Sequence, residues 1–252
     1  MKFSAIVTAL LVIGCISAQA QDVQVAVAAN FSAPMQKIAA AFEKETGHKV
    51  ALSFGATGKF YAQIHNGAPF AVLLAADQET PARLVREGLG VAGTQFTYAT
   101  GQLVLWSAQS GVVDSQGAVL ANLASGQRNA KLAVADARLA PYGAAAQQVL
   151  AQRGLSESLK PFLVTGENIG QAHQFVKTGN ALMGFVALSQ VMVDGRIDSG
   201  SAWLVPASLH APIRQDGVLL KNAENQPAAK ALMQYLRSDT ARAVIRAHGY
   251  LL

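Results

Sequence analysis

Four short segments of the chain join small or polar residues to the start of a predicted helix. They are Ala28–Ser32, Phe54–Gly58, Pro141–Gly143 and Gly166–Ile169, and each follows a strand-like run. The first turn of a helix carries unpaired backbone N–H groups and the positive end of the helix dipole, so it attracts anions. We therefore expect the four segments together to hold one small anion without a metal or a charged side chain.

Strand-like and helical patterns alternate along the chain. Val23–Val27 is typical of a short strand, and the helix predicted after it places Met35, Ile38 and Phe42 on one face through spacings of three and four residues. The alternation predicts an α/β fold with parallel sheets. The strand–loop–helix unit occurs twice early and twice late, which suggests two lobes with a pair of helix starts each. In such sheets ligands bind at the carboxyl ends of the strands.

Three local predictions are specific enough to check individually. Gly101–Ser107 has an apolar centre and is predicted to form one strand. The apolar run Phe70–Ala75 is predicted to form a buried parallel strand. Asp239 precedes a helical pattern that ends before Gly249, so it is the predicted N-cap of the last helix.

The composition is typical of a globular protein rather than of a nucleic-acid-binding one. The chain has 252 residues, enough for one large domain or two smaller ones, with 51% hydrophobic and 14% charged residues. The net charge of +5 comes from scattered basic residues, and we interpret it as a contribution to solubility. The five histidines show no spacing that predicts a metal site.

The amino terminus has the pattern of a secretory signal peptide. Lys2 supplies the positive charge, Phe3–Ile13 is mostly apolar, and Ala18–Ala20 offers small residues at the cleavage positions. We expect residues 1–20 to be removed and the mature chain to begin at Gln21. An uncleaved anchor is one alternative. Another is a lipoprotein lipidated at Cys15, the only cysteine, which would otherwise leave with the signal and take any disulfide or thiolate chemistry with it.

An ordered set of short motifs runs along the whole mature chain. The set comprises Ala28–Phe31 with Met35–Gln36, Ser53–Gly58, Gly67–Pro69 with Ala76–Gln78, Leu132–Val134 with Asp136, Gly184–Gln190, Tyr235–Leu236 and His248–Tyr250. In this order the motifs resemble those of the periplasmic molybdate-binding proteins of ABC importers.

The resemblance implies a two-lobed α/β periplasmic binding protein of type II-like architecture. Each lobe would hold a mostly parallel sheet flanked by helices, and two strands would form the hinge near 101–104 and 204–207. Residues 21–101 plus 207–252 would form the first lobe, and residues 102–206 the second. The implied function is to capture molybdate, or tungstate, and to deliver it to an ABC permease. Another tetrahedral oxyanion such as sulfate or phosphate, or a role in presenting the ligand to a sensor, stays open.

The resemblance also implies the binding residues. Asn30 and Thr57 would supply donors from the first lobe with their small polar side chains, and Ala29 a further backbone contact. Tyr142 and Ile169 would supply backbone N–H groups from the second lobe. These residues would contact molybdenum only through its oxo ligands, and no cofactor is implied. From the residues alone, Asn30 is also a plausible helix cap and Tyr142 an ordinary packed aromatic residue.

The chain departs from the family at three of the relevant positions. Many members have Ser where this chain has Asn30 and where it has Thr57, and many have a ligand-binding Tyr where this chain has Ala187. Glu167 lies close to the expected site, and because its carboxylate would repel an anion we expect it to point away or to cap the helix.

The resemblance implies a monomer of the periplasm whose partners are the permease and the oxyanion, with no nucleic acid. An enzyme is the rival class. The sequence has no Gly-x-Ser-x-Gly and no His-Glu-x-x-His motif, so we expect none of the activities that these motifs support. Asp77 matches a family position, but its type and place favour a helix cap over a ligand.

Overall fold

A computed structural model of the chain describes residues 22–127, 129–193 and 195–252. The predicted signal peptide, residues 1–20, and Cys15 lie outside the described residues.

The described residues alternate between strands and helices. The strands are β1 Val23–Ala28, β2 Val50–Gly55, β3 Val72–Leu74, β4 Phe96–Gly101, β5 Leu103–Ser107, β6 Leu132–Ala135, β7 Leu163–Gly166, β8 Met183–Ala187, β9 Met192–Val193, β10 Arg196–Ile197, β11 Ser201–Leu204 and β12 Ile213–Leu219. The α-helices are α1 Ser32–Thr46, α2 Thr57–His65, α3 Glu79–Arg86, α4 Val119–Ala124, α5 Pro141–Gln152, α6 Ser156–Leu159, α7 Ile169–Lys177, α8 Pro227–Tyr235 and α9 Asp239–Ala247.

Two five-stranded sheets define two lobes. The first lobe is built on the sheet with the order β2-β1-β3-β12-β4, and the second on the sheet with the order β11-β5-β8-β6-β7. This arrangement confirms the two-lobed α/β architecture that the sequence predicts.

Each sheet is mixed, so the expectation of mostly parallel sheets is too strong. In the first sheet β2, β1 and β3 run parallel, while β12 pairs antiparallel with both β3 and β4. In the second sheet β8, β6 and β7 run parallel, while β5 pairs antiparallel with β8 and β11. The antiparallel strands adjoin the segments that pass between the lobes, and no helix reverses the chain between β4 and β5. Only strands joined through a helical crossover are constrained to be parallel.

The core follows the pleat of the first sheet. Val25 and Val27 of β1 point to one face, where they pack with Phe31, whereas Ala26 points to the other face and packs with Phe60. The second sheet has a separate hydrophobic cluster of its own. Because successive side chains of a strand face opposite ways, apolar strands such as these need a helical layer on each face.

Two local predictions are wrong in detail, and one is too long. Gly101–Ser107 is not one strand, because the chain leaves β4 at Gly101 and enters β5 of the other sheet at Leu103. The N-cap of α9 is Ser238, whose hydroxyl accepts from the N–H of Ala241; Asp239 is the first helical residue. Within the apolar run 70–75, β3 covers only Val72–Leu74, although the N–H groups of Ala71 and Ala75 also donate to the neighbouring strands.

The parallel pairs place four helix starts at two sheet edges. Ala28 at the end of β1 lies beside Gly55 at the end of β2, and Ala135 at the end of β6 lies beside Gly166 at the end of β7. Since parallel strands end at the same edge, the helices that follow them begin close together.

Candidate anion-binding site

One small cavity between the lobes is lined by all five residues that the sequence predicts as a site: Ala29, Asn30, Thr57, Tyr142 and Ile169. Its volume of about 10 Å³ is close to the space that a single water molecule needs. In this conformation the cavity has room for little more than one water molecule, and a sugar or an amino acid does not fit.

The predicted residues lie in the first turns of four helices. Asn30 belongs to a 3₁₀ turn, Ala29–Phe31, that leads into α1, and Thr57 is the first residue of α2. Tyr142 is the second residue of α5, and Ile169 the first of α7. Among the described residues, none accepts a hydrogen bond from the backbone N–H of these four. The four amides can therefore donate to an anion in the cavity.

A glycine lets α5 begin close to the end of β6. A Cβ on Gly143 would lie 2.3 Å from the carbonyl oxygen of Ala135, a contact that no larger residue could make. The position of the Tyr142 amide thus depends on its neighbour having no side chain.

Thr57 offers the cavity its hydroxyl as well as its amide. The side chain is buried, and its Oγ1 accepts a hydrogen bond from the N–H of Ala76 at 3.0 Å. A hydroxyl has one proton to donate besides its lone pairs. Because the Ala76 N–H occupies a lone pair, the Thr57 proton is available to a ligand.

The Asn30 side chain does not have the role that the sequence predicts. Its Nδ2 donates to Oε1 of Gln215 at 2.8 Å and to the hydroxyl of Tyr250 at 2.9 Å. Both protons of an amide nitrogen are thereby used within the protein. The remaining donor of Asn30 is its backbone N–H, while the side chain anchors the loop.

Tyr142 and Ile169 are placed to contribute through the main chain. The Tyr142 ring is buried, and its hydroxyl accepts from Nε2 of Gln215 at 3.1 Å. Burial raises the pKa of that hydroxyl well above its usual value. The side chain of Ile169 is buried in the core of the second lobe, and its carbonyl accepts from Nε2 of Gln190 at 3.2 Å.

Asn168 also lines the cavity, although the sequence motifs predict no separate role for it. Its Oδ1 accepts from the N–H groups of Gly170 at 2.9 Å and Gln171 at 3.1 Å, so it is the N-cap of α7. An Asn immediately before a helical pattern is a recognisable capping signal, and it could have identified this residue.

The lobes contact each other around the cavity. The N–H of Gly58 donates to the carbonyl of Leu139 at 2.9 Å, and Lys59 forms an ion pair with Glu167. Glu167 does not line the cavity, its carboxylate is partly exposed and paired with Lys59, and the cap of α7 is Asn168 instead. These contacts correspond to a closed arrangement of the two lobes.

The remaining predicted features give the site no further charge or metal ligand. Ala187 is buried in β8 and supplies no hydroxyl, and Asp77 accepts from the N–H of Thr80 at 2.8 Å near the start of α3. Within residues 22–127, 129–193 and 195–252, no group of three or more His, Cys, Asp or Glu side chains could hold a metal ion. In the same ranges, no helix has the length and apolar character needed to cross a membrane.

Comparison with known proteins identifies the family. Residues 23–251 match the family model described as bacterial extracellular solute-binding protein. The chain is 59% identical to the molybdate-binding protein ModA of Azotobacter vinelandii over 236 residues, covering 93% of this chain and 91% of the relative. It is 48% identical to the ModA of Rhodobacter capsulatus over 242 residues, covering 96% and 93%.

A solved structure agrees with these sequence matches. The periplasmic molybdate-binding protein of A. vinelandii superposes with a TM-score of 0.87 at 40% identity, covering 91% of this chain and 99% of that one. The chain therefore belongs to the bacterial extracellular solute-binding proteins, in the branch that contains the ModA proteins.

Proposed function

We propose that this protein binds molybdate in the cavity between its lobes and delivers it to the permease of an ABC importer. The observation that carries the proposal is the convergence of four unpaired backbone N–H groups and one hydroxyl on a single small cavity, with donors from both lobes. The ModA relatives, whose names state that they bind molybdate, support the choice of this anion.

Neutral donors are sufficient for a buried dianion. Each oxygen of the anion must receive hydrogen bonds, since desolvation would otherwise prevent binding. A hydrogen bond to a charged acceptor is worth about 1.5–3 kcal/mol, so five such bonds offset dehydration and the ordering of the two lobes. The dipoles of α2, α5 and α7 point their positive ends at the same place.

A shell made of donors also selects among oxyanions. A protonated anion such as hydrogen phosphate brings an O–H that needs an acceptor, and a shell of N–H and O–H donors provides none. The size of the closed donor shell then separates molybdate from the smaller sulfate. Tungstate has the same charge and shape as molybdate, so we propose that it binds as well.

Binding and closure are linked in this proposal. The first lobe would comprise residues 21–101 plus 207–252 and the second residues 102–206, with hinges near 101–104 and 204–207. The two crossing segments contact each other through the Val205 N–H and the Leu103 carbonyl, 3.1 Å apart. The anion would bind the first lobe through Asn30 and Thr57, and the second lobe would add Tyr142 and Ile169. The ligand stabilises the closed form by these additional contacts.

Membership of the bacterial extracellular solute-binding proteins supports a proposal for the cellular setting. We propose a monomer that works in the periplasm after removal of residues 1–20, with lipidation at Cys15 as the alternative. It acts as a carrier and not as an enzyme.

Calorimetry with a panel of oxyanions tests the proposal. Purified residues 21–252 are titrated with molybdate, tungstate, sulfate and phosphate at one ionic strength. Tight binding of molybdate and tungstate with weak or absent binding of the others is the expected result. Tighter binding of sulfate than of molybdate would overturn the assignment of the ligand while leaving the family intact.

A further inference from the structure

Gln215 contacts residues of both lobes directly behind the cavity. It lies in β12 at an irregularity of register between Gln215 and Asp216, and its side chain is completely buried. Its Oε1 accepts from Nδ2 of Asn30 at 2.8 Å, and its Nε2 donates to the hydroxyl of Tyr142 at 3.1 Å. A single carboxamide thus joins a cavity residue of the first lobe to a cavity residue of the second.

We propose that Gln215 is a positioning residue that couples lobe closure to the placement of the two anion donors beside it. In the closed form it fixes Asn30 and Tyr142 relative to each other, and separation of the lobes would stretch or break its bond to Tyr142. The inference rests on the proposed function, because it assumes that the backbone N–H groups of these two residues bind the ligand.

Gly101 at the hinge leaves room for the contact between Gln215 and Tyr142. A Cβ on Gly101 would lie 2.0 Å from the Tyr142 hydroxyl and 2.6 Å from Nε2 of Gln215. Gly101 is the last residue of β4, where the chain leaves the first sheet. Any larger residue at this crossing would displace one of the two partners, so the glycine is part of the arrangement.

The second lobe also holds Asn30 from another side. The hydroxyl of Ser189 donates to the carbonyl of Asn30 at 2.8 Å, and the Tyr250 hydroxyl lies 2.8 Å from the same oxygen. The carbonyl of Asn30 is therefore held by hydroxyl groups from both lobes. Because these groups are desolvated, each bond is sensitive to the loss of its partner.

Tyr98 provides a matched control within the same cluster. Its hydroxyl donates to Oε1 of Gln215 at 3.0 Å and lies 2.9 Å from the carbonyl of Ala75. Tyr98 and Gln215 lie on the neighbouring strands β4 and β12 of one sheet, so their contact does not depend on closure. Tyr142 and Tyr98 are both buried tyrosines bonded to one carboxamide, and only Tyr142 reaches it from the other lobe.

The test compares Tyr142→Phe with Tyr98→Phe in residues 21–252. Both variants should lower the unfolding temperature, since each loses a buried hydrogen bond. Only Tyr142→Phe should weaken molybdate binding, by about three- to tenfold, as expected for one hydrogen bond. Tyr98→Phe should stay within about twofold of the wild type. Small-angle X-ray scattering without ligand should show a larger radius of gyration for Tyr142→Phe than for Tyr98→Phe.

Equal effects of the two substitutions on affinity and on compaction would overturn the inference and would reduce Gln215 to a structural residue. A Gln215→Leu, Tyr142→Phe double variant should bind no more weakly than Gln215→Leu alone, and additive losses would also count against coupling. Failure of the wild type to bind molybdate would refute the proposed function instead. Scattering of the ligand-free variants would then still decide whether Gln215 and Tyr142 hold the lobes together.

Discussion

The hydroxyl oxygen of Thr57 lies 3.0 Å from the backbone nitrogen of Ala76 and accepts its hydrogen bond, so the orientation of the hydroxyl is fixed. Thr57→Val keeps the shape of the side chain and removes the hydroxyl. We expect the affinity for molybdate to fall by about 10- to 100-fold, the equivalent of one hydrogen bond to a charged group. The buried Ala76 N–H also loses its acceptor, which should cost about 1–3 kcal/mol of stability.

Thr57→Ser is the control for this substitution because it retains the hydroxyl and removes only a methyl group. Calorimetry should give Thr57→Ser an affinity for molybdate near that of the wild type. Wild-type affinity in Thr57→Val would remove the hydroxyl from the site.

The substitution Gly58→Ala should raise the stability of the ligand-free protein and lower its affinity for molybdate. A Cβ at this position would lie 3.2 Å from Cα of Leu139 in the facing lobe. Gly58→Ala favours the helical conformation of α2, worth about 0.5–1 kcal/mol in the ligand-free protein. In the closed form it pushes the lobes apart by a few tenths of an ångström, so affinity should fall. Thermal unfolding and calorimetry measure the two effects, and tighter binding would show that the lobes close differently.

Substitutions of Asn168 separate its role as the N-cap of α7 from the effect of a negative charge on the cavity wall. Asn168→Asp preserves an excellent N-cap for α7 but places a carboxylate on the cavity wall. We expect nearly wild-type stability and a loss of molybdate binding through repulsion. Asn168→Ser caps α7 without charge and should bind. Asn168→Ala should lose about 0.5–2 kcal/mol of stability. Undiminished binding by Asn168→Asp would place the anion elsewhere.

Binding should be insensitive to pH near neutrality. Tyr142 is the one titratable side chain among the described residues that line the cavity, and burial raises its pKa well above the usual value. Ionised Tyr142 would repel the anion, and a raised pKa moves that repulsion to more alkaline pH. Calorimetry between about pH 6 and 9 at constant ionic strength should therefore give one affinity, within about twofold. A steep decline would reveal a titrating group at the site.

Local patterns were sufficient to predict the helix starts. The segments around Asn30, Thr57, Tyr142 and Ile169 each combine a strand, a small or polar turn and a helical period, all within about ten residues. Helix beginnings depend on such short-range chemistry, which is why their positions could be predicted. The two-lobed α/β class followed from the alternation of these units, and the structure confirms it.

Side-chain roles at the same positions required the folded chain. The family resemblance predicts that Asn30 presents its side chain to the ligand, but that side chain is bound by Gln215 and Tyr250, which lie 185 and 220 residues away. Nothing near Asn30 in the sequence indicates those partners. The sequence pattern also does not reveal the antiparallel strands of each sheet, since the direction of a strand depends on where a crossing segment enters the sheet.

A helix start leaves its first N–H groups without partners wherever it occurs, so the amino-acid sequence is enough to identify the unpaired peptide groups. The sharing of one cavity by four such starts, and the contact that Gln215 makes with both lobes behind it, are visible only in the folded chain. Unpaired amides are a property of local backbone geometry, whereas their convergence depends on the packing of strands that are far apart in the chain.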